Sequence, residues 1–181
     1  AISFQAPISG PDGTLNVTAS RATATDSVDV GSFQLLGTSQ WRQVGATLPA
    51  FSAGDFFVAP DAGYLRAAGG TGTAADRYVI SDIYGLQGIG SASHEAAHYA
   101  LGADIDASDA AEWNFGYGFT PIGTALRPFT GSLDGAGADG NHAITGLSQR
   151  PFFGDVGLFG IIAGATIRNL QLLGIDLDAG V

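Results

Sequence analysis

The chain has 181 residues, 28 of them glycine, and 45% of it is hydrophobic, which suits one domain with a sizeable core and excludes disorder. All seven basic residues are arginine and the net charge is −10, so no basic stripe exists to neutralise phosphates and nucleic acid is excluded as a partner. The same charge argues against adsorption to anionic lipid, no apolar run approaches the ~20 residues that span a bilayer, and the absence of cysteine excludes disulfides and thiolate metal sites.

Residues 1 to 36 read as short strands at Ile2 to Phe4, Leu15 to Thr18, Val28 to Val30 and Phe33 to Leu36. Turn signals at Ser9-Gly10-Pro11-Asp12-Gly13 and at Gly31 separate them. Residues 37 to 62 space Trp41, Pro49, Phe51, Phe56, Phe57 and Pro60 too unevenly for either a strand or a helix period, which predicts a loop excursion packed on the main body. Order returns from Tyr64, with strands expected near Tyr78 to Ile80 and around Leu86. The only helix candidate is Ser91 to Leu101, where Ala, Glu and Leu favour a helix and Ser91 or Ser93 could cap it. A second irregular stretch runs from Asp106 to Gly123 and holds Trp113, Phe115, Tyr117 and Phe119.

From Phe129 to Leu173, apolar bursts are closed by Gly131, Gly135, Gly146, Gly160 or Gly174. Bursts of that length are strands, and glycine suits sharp corners with positive φ. The burst at Ile144 is answered near Ile167, roughly 23 residues on, a period expected of stacked coils. A sparsely charged exterior rich in Gly, Thr and Ser also suits a β-solenoid. With no Pro/Ser-rich linker or charge run, residues 1–181 are expected to form a single elongated domain. Because methionine is absent, Ala1 is not an initiator, and the chain reads as a piece or processed product of something longer.

The candidate helix contains His94-Glu95-Ala96-Ala97-His98, which fits H-E-x-x-H, where two histidines one turn apart bind zinc and the glutamate activates water. The motif needs a third ligand. Leu101 and Asp104 stand where a longer zinc motif has Gly and His, while Glu112 and His142 lack a helix to present them. HEAAH therefore reads first as a polar corner before a strand. Asp104, Asp106, Ser108 and Asp109 begin like a calcium loop, but Asp109 occupies the glycine position and Phe115 that of the bidentate Glu. Gly135 to Asp139 matches one unit of a calcium-binding β-roll without tandem copies. Solvated turn carboxylates are the simpler meaning for Asp104, Asp106, Asp109 and Asp139. There is no G-x-S-x-G, and Gly69-Gly70-Thr71-Gly72 precedes no lysine or helix. No catalytic, metal or cofactor-binding residues are assigned. Trp41, Trp113 and Tyr117 raise the alternative of a carbohydrate-binding module by ring stacking, against packing as a flap.

Phe129-Thr130-Gly131-Ser132-Leu133-Asp134-Gly135, then Gly140 to Leu147, Val156 to Gly160 and Gly164 to Leu170 together resemble the GLUG-type repeat of filamentous-haemagglutinin-like surface proteins of Gram-negative bacteria. The likeness covers roughly residues 64 to 173. It implies an all-β, right-handed parallel β-helix with two irregular loop excursions, in a passenger segment of a two-partner-secretion adhesin at the cell surface. The secretion signature Asn-Pro-Asn-Gly is missing. GLUG-type repeats also accompany secreted zinc peptidases, which keeps a HEAAH peptidase fragment as the enzymatic alternative. The resemblance implies no cofactor and a host or surface glycan as a partner, while bare strand edges at the ends of such a rod would pair with neighbouring coils of the same longer chain or with other copies end to end. At ~20–25 residues per coil and ~4.8 Å between coils the chain would make a rod on the order of 35–40 Å long. Its ends would expose unpaired strand edges. Asn169 is expected on a corner, its side-chain amide bonded to the backbone of the adjacent coil.

Overall fold

The computed structural model describes residues 1–150 and 154–178. The chain is all-β. Seven strands fill the first 67 residues: β1 Ile2–Phe4, β2 Ile8–Val17, β3 Ala22–Ala24, β4 Val28–Leu35, β5 Gln40–Val44, β6 Phe51–Val58 and β7 Gly63–Ala67. They interleave into two sheets, ordered β1-β3-β5-β7 and β2-β4-β6, every pair parallel. A one-and-a-half-turn helix, α1 Ile83–Gly88, follows β8 Tyr78–Ile80. Then come β9 His98–Leu101, β10 Ile105–Asp106, a 3-10 turn at Ser108–Glu112, a short turn at Trp113–Gly116, β11 Ser132–Asp134, β12 Ala143–Thr145, β13 Ser148–Gln149, β14 Thr166–Arg168, β15 Gln171–Leu173 and β16 Asp176–Leu177. These build three further parallel sheets, β8-β9-β11-β14, β10-β12-β15 and β13-β16. Paired residues lie 18 to 39 positions apart along the chain. Among the described residues no helix is long and apolar enough to cross a membrane.

In-register parallel pairing places like side chains over one another, and the interior is built from such stacks. Phe33 and Phe56, partners in β4 and β6, stack at 5.4 Å, and Trp41 and Tyr64, partners in β5 and β7, lie 6.4 Å apart with rings 2° from parallel. Tyr78, Tyr99 and Leu133 form the matching inward row of β8, β9 and β11. Alternate residues turn outward, as the pleat requires. One hydrophobic cluster runs from Val17 to Leu158.

Midway, other groups take the place of strands. The β7 edge is covered by α1 and its exit: Ser91 Oγ accepts from Tyr64 N–H at 2.9 Å, and a Cβ on Gly88 would lie 2.5 Å from the Tyr64 carbonyl. On β6, the Tyr84 hydroxyl accepts from Ala53 N–H at 2.9 Å and lies 3.3 Å from its carbonyl, replacing a ladder pair. Asp82 caps α1 through Gly85 N–H at 2.8 Å and also binds the buried Arg66 at 2.6 Å, whose remaining nitrogens reach Gln43 and the Pro49 carbonyl.

Several expectations need correction. Residues 37–62 are no excursion, since they supply β5 and β6 to the two N-terminal sheets. The segment around Leu86 is helical, not a strand. Ser91 to Leu101 forms no helix: residues 91–97 run through turns and β9 begins at His98. Ile144 is not in register with Ile167, because it pairs with Leu172 while Ile167 pairs with Leu133. Asn169 does sit on a left-handed corner, φ 53°, but its amide donates to the Asp134 carboxylate at 2.8 Å and not to backbone. The second irregular stretch, 106–123, remains largely outside the sheets while burying Trp113 and Phe119. The open strand edge expected at the C-terminal end falls partly on residues 179–181, which lie outside the described part of the chain.

Candidate functional surfaces

The outermost strands are where the chain meets its surroundings. β1 and β2 edge the N-terminal sheets, and β14, β15 and β16 edge the others, each paired on one side only among the described residues. Core positions lose cover towards these edges. Ile144 is buried, yet its partner Leu172 is 41% exposed, and Leu173 and Leu177 are exposed too, as is Ile2 at the other end. An open strand edge carrying apolar side chains is a template for another strand.

The HEAAH residues serve a corner, in keeping with the simpler reading of that motif. The Glu95 carbonyl accepts from Thr130 and Gly131 N–H at 2.9 and 3.0 Å, and the His94 carbonyl accepts from the Tyr99 hydroxyl at 2.7 Å. His98 lies on β9 with Nδ1 2.9 Å from Ser132 Oγ. Burial, only partly offset by the Glu95 charge, lowers the pKa of His94 and so favours the neutral ring. The two histidines lie on either side of a turn-to-strand transition and share no helix face. Among the described residues no group of three or more His, Asp or Glu side chains is arranged to hold a metal ion.

The acidic candidates are engaged locally. Asp106 accepts from Ser108 N–H at 3.0 Å, Asp104 from Ala143 N–H at 2.9 Å, and Asp139 lies 2.9 Å from His142 Nε2. Hydrogen bonds from Ser108 hold the Asp106 carboxyl below its ordinary range. Asp109 belongs to the 3-10 turn. Trp41 and Trp113 are 1% and 0% exposed, so neither offers a face to a sugar; Tyr117 is half exposed. Trp113 instead packs on Phe56 and Tyr84 at 5.0 and 5.2 Å.

Two features escaped the sequence reading. One is an apolar groove of about 210 Å³ between β6 and the 120–127 segment, lined by Phe56, Val58, Pro60, Pro121 and Leu126 and flanked by the Arg127–Asp61 ion pair at 2.6 Å. The other is a pair of arginines, Arg77 and Arg168, converging on Asp134 from residues far apart in the chain. The second has a signal in hindsight: Asp134 and Arg168 are separated by the same 34 residues as the paired strands Leu133 and Ile167.

No family model matches the chain, and no solved structure matches it. It is similar to halomucin of Haloquadratum walsbyi, 38% identical over 113 residues, covering 57% of this chain and 1% of halomucin. It is also similar to a "Putative Gly-rich membrane protein" of Evansella cellulosilytica, 34% identical over 109 residues, covering 59% of this chain and 12% of that protein. The chain thus spans a small fraction of the length of the curated relatives it matches.

Proposed function

We propose that this chain is a structural, non-catalytic segment of a longer extracellular protein at the cell surface, folded as a right-handed parallel β-helix and acting in adhesion or surface assembly. The observation that carries the reading is the pairing itself. Every named strand pairs in parallel with one 18 to 39 residues away, and in-register aromatics stack through the interior. Successive coils of one rod produce that pattern, with the right hand expected of parallel crossovers. The two relatives lend support, one named halomucin and the other a Gly-rich membrane protein, each many times longer than the matched region. The GLUG-type likeness and the adhesin role belong to the same proposal, resting on the glycine-cornered strands from Phe129 to Leu170.

In this reading the exposed edges of β14, β15 and β16 pair with the next coil of the same longer chain or with an end of another copy. The net charge of −10 keeps the lateral faces apart, which favours end-to-end over side-by-side contact. Antibodies raised against this chain should label intact, unpermeabilised cells of the source organism, and external protease should remove the label. Labelling that appears only after permeabilisation would overturn the surface assignment.

A further inference from the structure

We propose that the outward face of the β8-β9-β11-β14 sheet binds an oxyanion, the sulfate or carboxylate group of an acidic glycan, on the guanidinium nitrogens of Arg77 and Arg168 that Asp134 leaves free. The registers set two outward rows on this face. His98, Ser132 and Thr166 are paired across β9, β11 and β14, and Arg77 immediately precedes β8 at the end of that row. Val79, Ala100, Asp134 and Arg168 form the next. Both arginines lean inward to the same atom: Asp134 Oδ2 accepts from Arg77 Nη1 at 3.1 Å and from Arg168 Nε and Nη2 at 2.9 and 2.7 Å.

The count of charges and donors exceeds what the fold needs. Asp134, its side chain 7% exposed, is already satisfied at Oδ1 by Asn169 Nδ2 and Ala136 N–H, and Arg168 alone would complete Oδ2. Arg77 therefore brings a second cation to a single carboxylate, so the three-residue cluster carries one surplus positive charge, while the neighbouring Asp76 turns to the Thr71 hydroxyl. Among the described residues, Nε and Nη2 of Arg77 and Nη1 of Arg168 have no protein acceptor. Both arginines line a depression of about 190 Å³ together with His98, Ser132, Thr166 and the Asp134 carboxylate, whose two oxygens are already taken up by five donors, and Arg77 and Arg168 are 34% and 53% exposed. Guanidinium nitrogens beside hydroxyls at the spacing of a sheet are the donor set that receives a planar or tetrahedral oxyanion. The charge of the whole chain repels a densely charged polymer such as nucleic acid, so the ligand is one whose charges are widely spaced, as on a glycan carrying an occasional sulfate or uronate.

The test is calorimetric titration of the chain at low salt with inorganic sulfate, a sulfated monosaccharide, a uronic acid and the corresponding neutral sugar. Saturable binding of a charged sugar is expected, with none of the neutral one, and a loss of roughly tenfold or more in Arg77→Gln. Arg77→Gln leaves Asp134 held by Arg168, Asn169 and Ala136, and an unchanged melting temperature verifies that the fold is intact; Thr166→Val, on the exposed edge strand, provides a second variant expected to weaken binding. Binding of inorganic sulfate without either charged sugar would overturn the glycan assignment. Equal binding by the parent and both variants, or no binding at all, would overturn the site. Neither result bears on the proposed surface role, which the antibody labelling tests separately.

Discussion

Replacing Asp134 with alanine tests the contacts that tie β11 to β14 and to the Asn169 corner that follows it. The carboxylate accepts five hydrogen bonds, from Arg77 Nη1, Arg168 Nε and Nη2, Asn169 Nδ2 and Ala136 N–H. Asp134→Ala leaves two guanidiniums facing each other and a corner amide without its acceptor. Removing one partner of a fully buried pair costs about 3–5 kcal/mol. Here the arginines are 34% and 53% exposed, so water takes back part of the loss, and the expected cost is about 2–3 kcal/mol. For a chain of this length that lowers the melting temperature by roughly 5–10 °C. The pH dependence has a definite sign. Burial pushes the Asp134 carboxyl up, but hydrogen bonds from Asn169, Arg168 and Ala136, with the Arg168 charge, outweigh it and hold the carboxyl below its ordinary range. A folded value below the unfolded one, about 3.9, gives stability that is complete above the unfolded pKa and lost as pH falls through the folded one. Urea denaturation of parent and variant should therefore show a constant difference between pH 6 and 7 that shrinks below about pH 4. A cost under about 0.5 kcal/mol at pH 7, the size expected of an ordinary surface substitution, or a difference that grows with acid, would refute this account.

The Tyr64 hydroxyl is fully buried with no partner among the described residues, and burial raises its pKa well above the ordinary value, so Tyr64→Phe is expected to leave stability unchanged or raise it by about 1 kcal/mol; a clear loss in thermal melts would mean that the hydroxyl is bonded. Asn169→Ala, which puts a residue without the amide at φ 53°, should cost about 1–3 kcal/mol, and Asn169→Gly, free of the backbone penalty, less; equal stabilities of both variants and the parent would remove the corner role. Leu173→Asp, on exposed β15, should suppress concentration-dependent self-association in light scattering while leaving the melting temperature within about 0.5 kcal/mol equivalent; unchanged association would disprove pairing through that edge.

Short apolar bursts were legible where glycines or polar turns bounded them, as at Ile2–Phe4 and Tyr78–Ile80. Glycine misled wherever it served close approach and not a corner. Gly31 lies inside β4, and a Cβ there would come 2.6 Å from the Pro11 carbonyl, so the residue that reads as a break between two strands lets one strand lie against its neighbour. Gly54 does the same against the Gly31 carbonyl at 2.9 Å, interrupting the alternation of β6 and disguising it as a loop. The six residues of α1 were illegible because no period can declare itself over one and a half turns, and their helical shape is held by the Asp82 cap and by Gly85 and Gly88 fitting against β7. At HEAAH, good helix formers were overruled because the Glu95 and His94 carbonyls are committed to Thr130, Gly131 and Tyr99.

The Arg77, Asp134 and Arg168 cluster depends on register, which a single sequence discloses only once the pairing is known. Arg77 and Asp134 are 57 residues apart. The expected 23-residue repeat aligned Ile144 with Ile167 and would have set Asp134 opposite Gly157, whereas the observed pairing sets it opposite Arg168. Side chains alternate with a period of two, so an error of an odd number of residues turns a whole row to the wrong face. The 11-residue difference between the expected and observed offsets is odd, and it would have placed the inward partner of Leu133 at Val156 and hidden the charged outward row. Opposite charges recurring at one offset beside an apolar pair, Asp134 and Arg168 beside Leu133 and Ile167, are therefore the stronger register signal in this chain, because an outward ion pair and an inward apolar pair must be satisfied by the same alignment.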